Sequence, residues 1–213
     1  MPTKQLVPNG ALRLVAEGCH AFADVGDSDE KNLNMTVYSG GVIKGHYWWG
    51  DLAIDLTGVK FDRSSYPVLE NHRTDLKIGF SKKPIVDGSI KLNPKTTKFV
   101  NTPASIEFQE TSSAGFPYQA SMFAVPSVIE RVNAGETVDV NGFKFKGPGT
   151  VWRNCLYQEA SVCVFGWDTQ IKSEAFSKDE KTEVEYEEIR REVVDGVTEQ
   201  QFDNNNLESK EEK

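Results

Sequence analysis

The sequence predicts a β-rich α+β domain, which a barrel would satisfy, with a disordered acidic C-terminal tail. Three observations carry this. Short runs of β-branched and aromatic residues, broken by glycine, proline and Asn-Gly turns, recur as far as Phe165. Only one stretch has strong helix-start chemistry. From Lys178 to Lys213 the chain carries 13 acidic and 6 basic residues, whereas residues 1–177 carry 19 and 18. The division expected is therefore a domain over 1–177 and a tail over 178–213, disordered or a short helix near Val184 to Val194.

Composition narrows the function classes. With 213 residues and 38% hydrophobic content, the chain can bury one core. No apolar run approaches the roughly 20 residues that a membrane span needs. The near-neutral body lacks a basic footprint, so neither nucleic acid nor membrane is an expected partner. Met1-Pro2-Thr3-Lys4-Gln5 has no secretory-type apolar core behind it. Cys19, Cys155 and Cys163 form an odd set without C-x-x-C spacing, which fits a reduced, intracellular compartment.

Leu12 to Phe22 fits a short strand or a helix equally well. Val25 to Asn34 is polar and reads as a surface loop. Met35 to Ile43 reads as a strand bent at Gly40-Gly41, and Leu52 to Leu56 as another. Tyr66-Pro67-Val68-Leu69 is a short apolar strand that ends in the polar cluster Glu70 to Asp75. Ile78-Gly79-Phe80 and Ile85 to Leu92 read as a hairpin, with Asp87-Gly88 supplying turn chemistry. Thr102-Pro103 puts a hydroxyl at a cap and proline at the first helical position, so a helix should run from Ala104 to Ala114. Ile106 and Phe108 would face inward, and Gly115 would stop the helix.

Gln119 to Val125 follows as an apolar strand. Gln119, Ser121 and Phe123 share one face, and Ala120, Met122 and Ala124 the other. Val138-Asp139-Val140-Asn141-Gly142-Phe143-Lys144-Phe145 predicts a tight hairpin. Leu156 to Phe165 is a strand with Tyr157, Glu159, Ser161 and Cys163 on one face.

Few side chains stand out chemically. Ser121 is either a small core residue bonded to nearby backbone or a nucleophile needing a histidine. His72 ends an apolar strand in a polar cluster, where a loop would present it. His20 and His46 sit in apolar or aromatic surroundings and read as structural. Glu159 inside an apolar strand needs a partner, either Arg153 or His72. No histidine or cysteine spacing suits zinc, and no glycine-rich loop opens a helix, so no metal or cofactor is expected. Cys155 and Cys163 lie in apolar runs, where thiols are usually inert.

Pro67-Val68-Leu69-Glu70-Asn71-His72 followed by Ile78-Gly79 resembles the histidine motif of phage prohead (head-maturation) proteases. Gly115-Phe116-Pro117-Tyr118-Gln119-Ala120-Ser121 is similar to that family's serine segment, helix included. Val140-Asn141-Gly142 with Gly147-Pro148 matches a hairpin found in some members. Leu156-Tyr157-Gln158-Glu159-Ala160-Ser161 resembles the final Leu-x-Glu-x-Ser block. The ordered set spans roughly Trp48 to Phe176. It departs from the family where Met122-Phe123 replaces Ile-Gly and where Ala160 replaces a β-branched residue.

The resemblance implies a serine endopeptidase with a fold akin to herpesvirus assemblins, a β-rich barrel flanked by a few helices. Ser121 would be the nucleophile, His72 the general base and Glu159 the orienting acid, with Arg153 a candidate for oxyanion support. Such enzymes work inside the immature capsid, in the host cytoplasm. They cut scaffold protein and major capsid protein, and often themselves; a homo-oligomer is one state open to them. Two other readings are a non-catalytic capsid-assembly or scaffold component that retains the barrel, and an unrelated β-rich binding module. A catalytic protein must bring Ser121, His72 and Glu159 together.

Overall fold

The structure is a computed structural model that describes residues 2–16, 19–25, 31–164 and 180–190. Two long antiparallel strands form its centre, Gln119–Val132 and Gly149–Cys163, paired along almost their whole length. Ala120, Met122, Ala124 and Ala160 are fully buried between them and the flanking layers. Small side chains there let neighbouring elements approach closely. Register shifts at Phe123/Ala124, Pro126/Val128 and Val128/Ile129 mark β-bulges. Such bulges bend the strands and curl the sheet. Pro126, which has no amide proton for a ladder, falls at one of them.

Fifteen described strands join this sheet, and the protein is mostly β. On one side of the central pair lie His20–Val25, Lys31–Tyr38 and the small hairpin Ile85–Val86/Ile90–Lys91. On the other lie Tyr66–Glu70, Arg73–Ser81 and Lys98–Phe99. Gly79 has to be glycine here, because a Cβ would meet the Lys98 carbonyl oxygen at 2.2 Å.

Among the described residues there is one α-helix, Pro103–Ser113, where a few were expected. Thr102 caps it, accepting a bond from the Ser105 amide at 3.2 Å. Phe108 faces the core as expected, but Ile106 is 45% exposed. Ala104, Ser105, Phe108 and Ser112 form the inward face, at spacings of three and four that exclude position 106.

Several other expectations are corrected. The Arg73–Ser81 strand that holds Ile78 to Phe80 pairs with Tyr66–Glu70 and Lys98–Phe99, not with the segment after Ile85. The polar stretch before Met35 already belongs to a strand from Lys31, whose register with His20–Val25 sets its start. Leu12 to Phe22 contains the end of the 3-10 turn Asn9–Leu12, the short strand Arg13–Leu14 and the start of His20–Val25.

The largest correction concerns the C-terminal boundary. Lys181–Arg190 is neither helix nor loose tail but a strand, antiparallel to Thr3–Pro8 and parallel to Gln119–Val132. Its alternation explains why: Val184 and Tyr186 are buried while Glu183, Glu185 and Glu187 face outward. Net charge hides this pattern, because charges on an outward face cost little. Residues 191–213 lie outside the described residues, as does the expected strand end at Phe165.

The Asn-Gly hairpin forms as predicted, between Thr137–Val140 and Phe143–Lys146, with Asn141 and Gly142 at φ 49° and 83°. No helix among the described residues is long and apolar enough to cross a membrane.

Candidate active site

The site is assembled by three neighbouring strands. Ser121 pairs directly with Ser161, and Phe123 with Glu159, so these four side chains share one face of the central pair. Tyr66–Glu70 runs parallel beside Gly149–Cys163, with Ser161 opposite Leu69 and Val162 opposite Glu70. It turns back into Arg73–Ser81 through two residues only, Asn71 and His72, because Glu70 pairs with Arg73. Both turn residues have positive φ, 49° and 58°. That is the two-residue hairpin geometry for which asparagine is well suited and histidine is tolerated. The turn is anchored by the Asn71 amide donating to the Val162 carbonyl at 2.9 Å. Its effect is to swing the His72 ring over the Ser121 face.

His72 then lies between the other two residues. Its Nε2 is 2.7 Å from Ser121 Oγ, and its Nδ1 bonds to Glu159 Oε1. All three side chains are buried. A carboxylate on one imidazole nitrogen and a serine hydroxyl on the other is the arrangement of a nucleophilic triad. With Nδ1–H donating to Glu159, Nε2 presents a lone pair toward Ser121 Oγ.

Ser161 is the member that sequence reasoning missed. Its hydroxyl donates to Glu159 Oε2 at 2.8 Å and accepts from the His72 backbone amide at 3.1 Å. It ties the carboxylate to the turn that carries His72, holding both in place. Its signals in the sequence were its period-two position after Glu159, on the same face, and its place as the serine of the Leu-x-Glu-x-Ser block.

Arg13 was missed as well. It pairs with Phe123 from the short strand Arg13–Leu14, and its charge interacts with Glu159. Burial pulls its guanidinium below the ordinary value, and the Glu159 charge opposes that shift. An arginine between Leu12 and Leu14 was the available signal.

Arg153 is not brought to the site. Its guanidinium donates to Glu130 Oε2 at 2.7 Å, to Asp55 Oδ2 at 3.1 Å and to the Asp139 carbonyl at 2.9 Å. It stands eight residues before Ser161, roughly 25 Å of extended strand. The expected oxyanion role therefore does not fit its position. His46 is buried, accepting from the Trp48 and Trp49 amides through Nδ1, which agrees with a structural residue. Burial pushes the thiols of Cys155 and Cys163 up to about 12 each, so neither is a ready nucleophile.

A cleft of about 700 Å³ opens at the other end of the central strands, beside Trp49, Arg131, Pro148, Thr150 and Glu188, and none of the triad lines it. No family model, curated protein or solved structure matches the chain.

Proposed function

We propose that this protein is a serine endopeptidase of the phage prohead type, with Ser121, His72 and Glu159 as its triad. The observation that carries the reading is His72 bridging Ser121 and Glu159 within one buried cluster. Ser121 Oγ attacks the scissile carbonyl carbon while its proton passes to His72 Nε2, and Glu159 holds the resulting imidazolium. As the tetrahedral adduct collapses, the C–N bond breaks and His72 returns the proton to the departing amine. A water, deprotonated by the same nitrogen, then hydrolyses the acyl-serine. Ser161 keeps Glu159 and the His72 turn in register through both steps.

The ordered sequence blocks extend the proposal to context: an assemblin-like barrel, scaffold and major capsid protein as substrates, and the assembling procapsid in the host cytoplasm as the place. The test is incubation of the purified protein with those two proteins, wild type against Ser121→Ala. Specific cleavage by the wild type alone supports the reading. Cleavage that survives Ser121→Ala but is abolished by iodoacetamide transfers the chemistry to a cysteine and overturns it.

One observation favours the alternative, a non-catalytic assembly component that retains the protease-like barrel: Ser121 is 0% exposed. A nucleophile that no substrate reaches performs no chemistry. Cleavage of neither protein under any condition, with the fold intact, would favour that alternative.

A further inference from the structure

Ser121 is covered on several sides, and the slightest cover lies along one edge of its strand. One edge of the Gln119–Val132 strand is fully paired to Gly149–Cys163. The opposite edge is covered piecemeal: His20 pairs at Gln119, Arg13–Leu14 at Met122–Phe123, and Glu187 to Arg190 at Val128 to Arg131. The piece beside the nucleophile is thus a ladder of two residues. Its Leu14 carbonyl accepts a hydrogen bond from Ser121 Oγ at 3.1 Å. Ser121 has a single hydroxyl proton, and His72 Nε2, 2.7 Å away, needs that proton for the base to act. The Leu14 carbonyl therefore both covers the hydroxyl and competes for its proton.

We propose that the segment around Arg13–Leu14 is a removable cap on Ser121, and that the site's substrates are extended peptides that replace it as an antiparallel strand on Met122–Phe123. The proposal rests on the serine-peptidase reading. Adding an extended peptide to a sheet edge is a general recognition mode, in which main-chain bonds give affinity and alternate side-chain pockets give selectivity. The cap itself indicates what those pockets accept. Leu14 is buried and Arg13 half-buried, so a substrate should present a leucine-like side chain opposite Met122 and tolerate a long, cationic one opposite Phe123.

The experiment uses the full chain and a fluorophosphonate probe, which phosphonylates an activated serine as fluoride leaves and the proton passes to the base. Two variants move the cap in opposite directions. Arg13→Cys/Phe123→Cys places a disulfide across a directly paired position, with the dithiothreitol-reduced form of the same protein as its control. Leu14→Ala loosens the cap. The expected results are labelling of Ser121 at least tenfold slower in the oxidised clamp than in its reduced form, and several-fold faster in Leu14→Ala than in wild type. Equal rates in the oxidised and reduced clamp would overturn the cap while leaving the peptidase reading intact. So would an unchanged rate in a folded Leu14→Ala. Absence of labelling in every form would instead remove the peptidase reading on which the cap depends.

Discussion

The two central strands bury a carboxylate at each end, and the ends are built differently. At one end Glu130 meets the Arg153 guanidinium, which also holds Asp55 and the Asp139 carbonyl. At the other, Glu159 meets the His72 ring and the Ser161 hydroxyl. A guanidinium is charged at every accessible pH, so the first cluster is a fixed ion pair. An imidazole has one nitrogen that can donate and one that can accept, so the second cluster has the arrangement that proton transfer with Ser121 would need. One strand pair thus carries a structural brace and a candidate reaction centre, and the nitrogen group that each carboxylate meets separates them.

The sharpest way to break this comparison is to remove the base. His72→Ala should lower kcat/KM on the order of 10⁴-fold, with far-ultraviolet circular dichroism unchanged. A loss of less than tenfold would mean that the imidazole transfers no proton. Glu159→Gln keeps the base but removes its charged holder. It should cost about 10 to 100 times less than His72→Ala in steady-state assays on one peptide. The reverse order would exchange the two roles.

The brace should respond in stability rather than rate. Arg153→Ala leaves Glu130 buried without its guanidinium, which costs about 3–5 kcal/mol in urea unfolding. The same variant, assayed where it is fully folded, should keep its kcat; a large fall in kcat would restore Arg153 to the reaction. Asp55 belongs to this cluster: burial pushes its carboxyl up, but its bonds to Thr57 and Arg153 outweigh that and hold it below its ordinary value.

A smaller effect separates His72 from the other buried histidine. Burial lowers His46 to about 4, whereas the unfolded chain protonates it near 6.5. Between those values the unfolded state binds more protons, so stability falls as pH drops from about 6.5 to about 4, by about 3 kcal/mol in all. Urea midpoints at both ends of that window should show the loss, and His46→Asn, with an amide oxygen in place of Nδ1, should flatten it. An unchanged slope in His46→Asn would assign the acid sensitivity elsewhere.

What the sequence made legible was local or motif-borne. Asn141-Gly142 announced its hairpin and Thr102-Pro103 its helix, because each acts on the backbone within a few residues. Ser121, His72 and Glu159 stood out as polar groups in apolar or strand-end settings, and their ordered blocks suggested a common role. The hidden parts depend on partners far away in the chain. Arg13 pairs with Phe123 and Thr3–Pro8 pairs with Lys181–Arg190, contacts that no local window contains. Arg153 looked available to the site until Glu130, 23 residues earlier in the chain, proved to be its partner. Ser161 bonds locally to Glu159, two residues before it on the same strand, but its second bond comes from the His72 amide, 89 residues away. The strand at 181–190 was masked by its acidity, although Val184 and Tyr186 already carried the alternation.

The most direct test of the account is the location of a covalent adduct. Wild-type protein treated with a fluorophosphonate and digested should yield one modified peptide, phosphonylated on Ser121, and His72→Ala should abolish that adduct while the protein stays folded. An adduct on any other residue, or one on Ser121 that forms equally fast without His72, would contradict the claim that these side chains work as one unit.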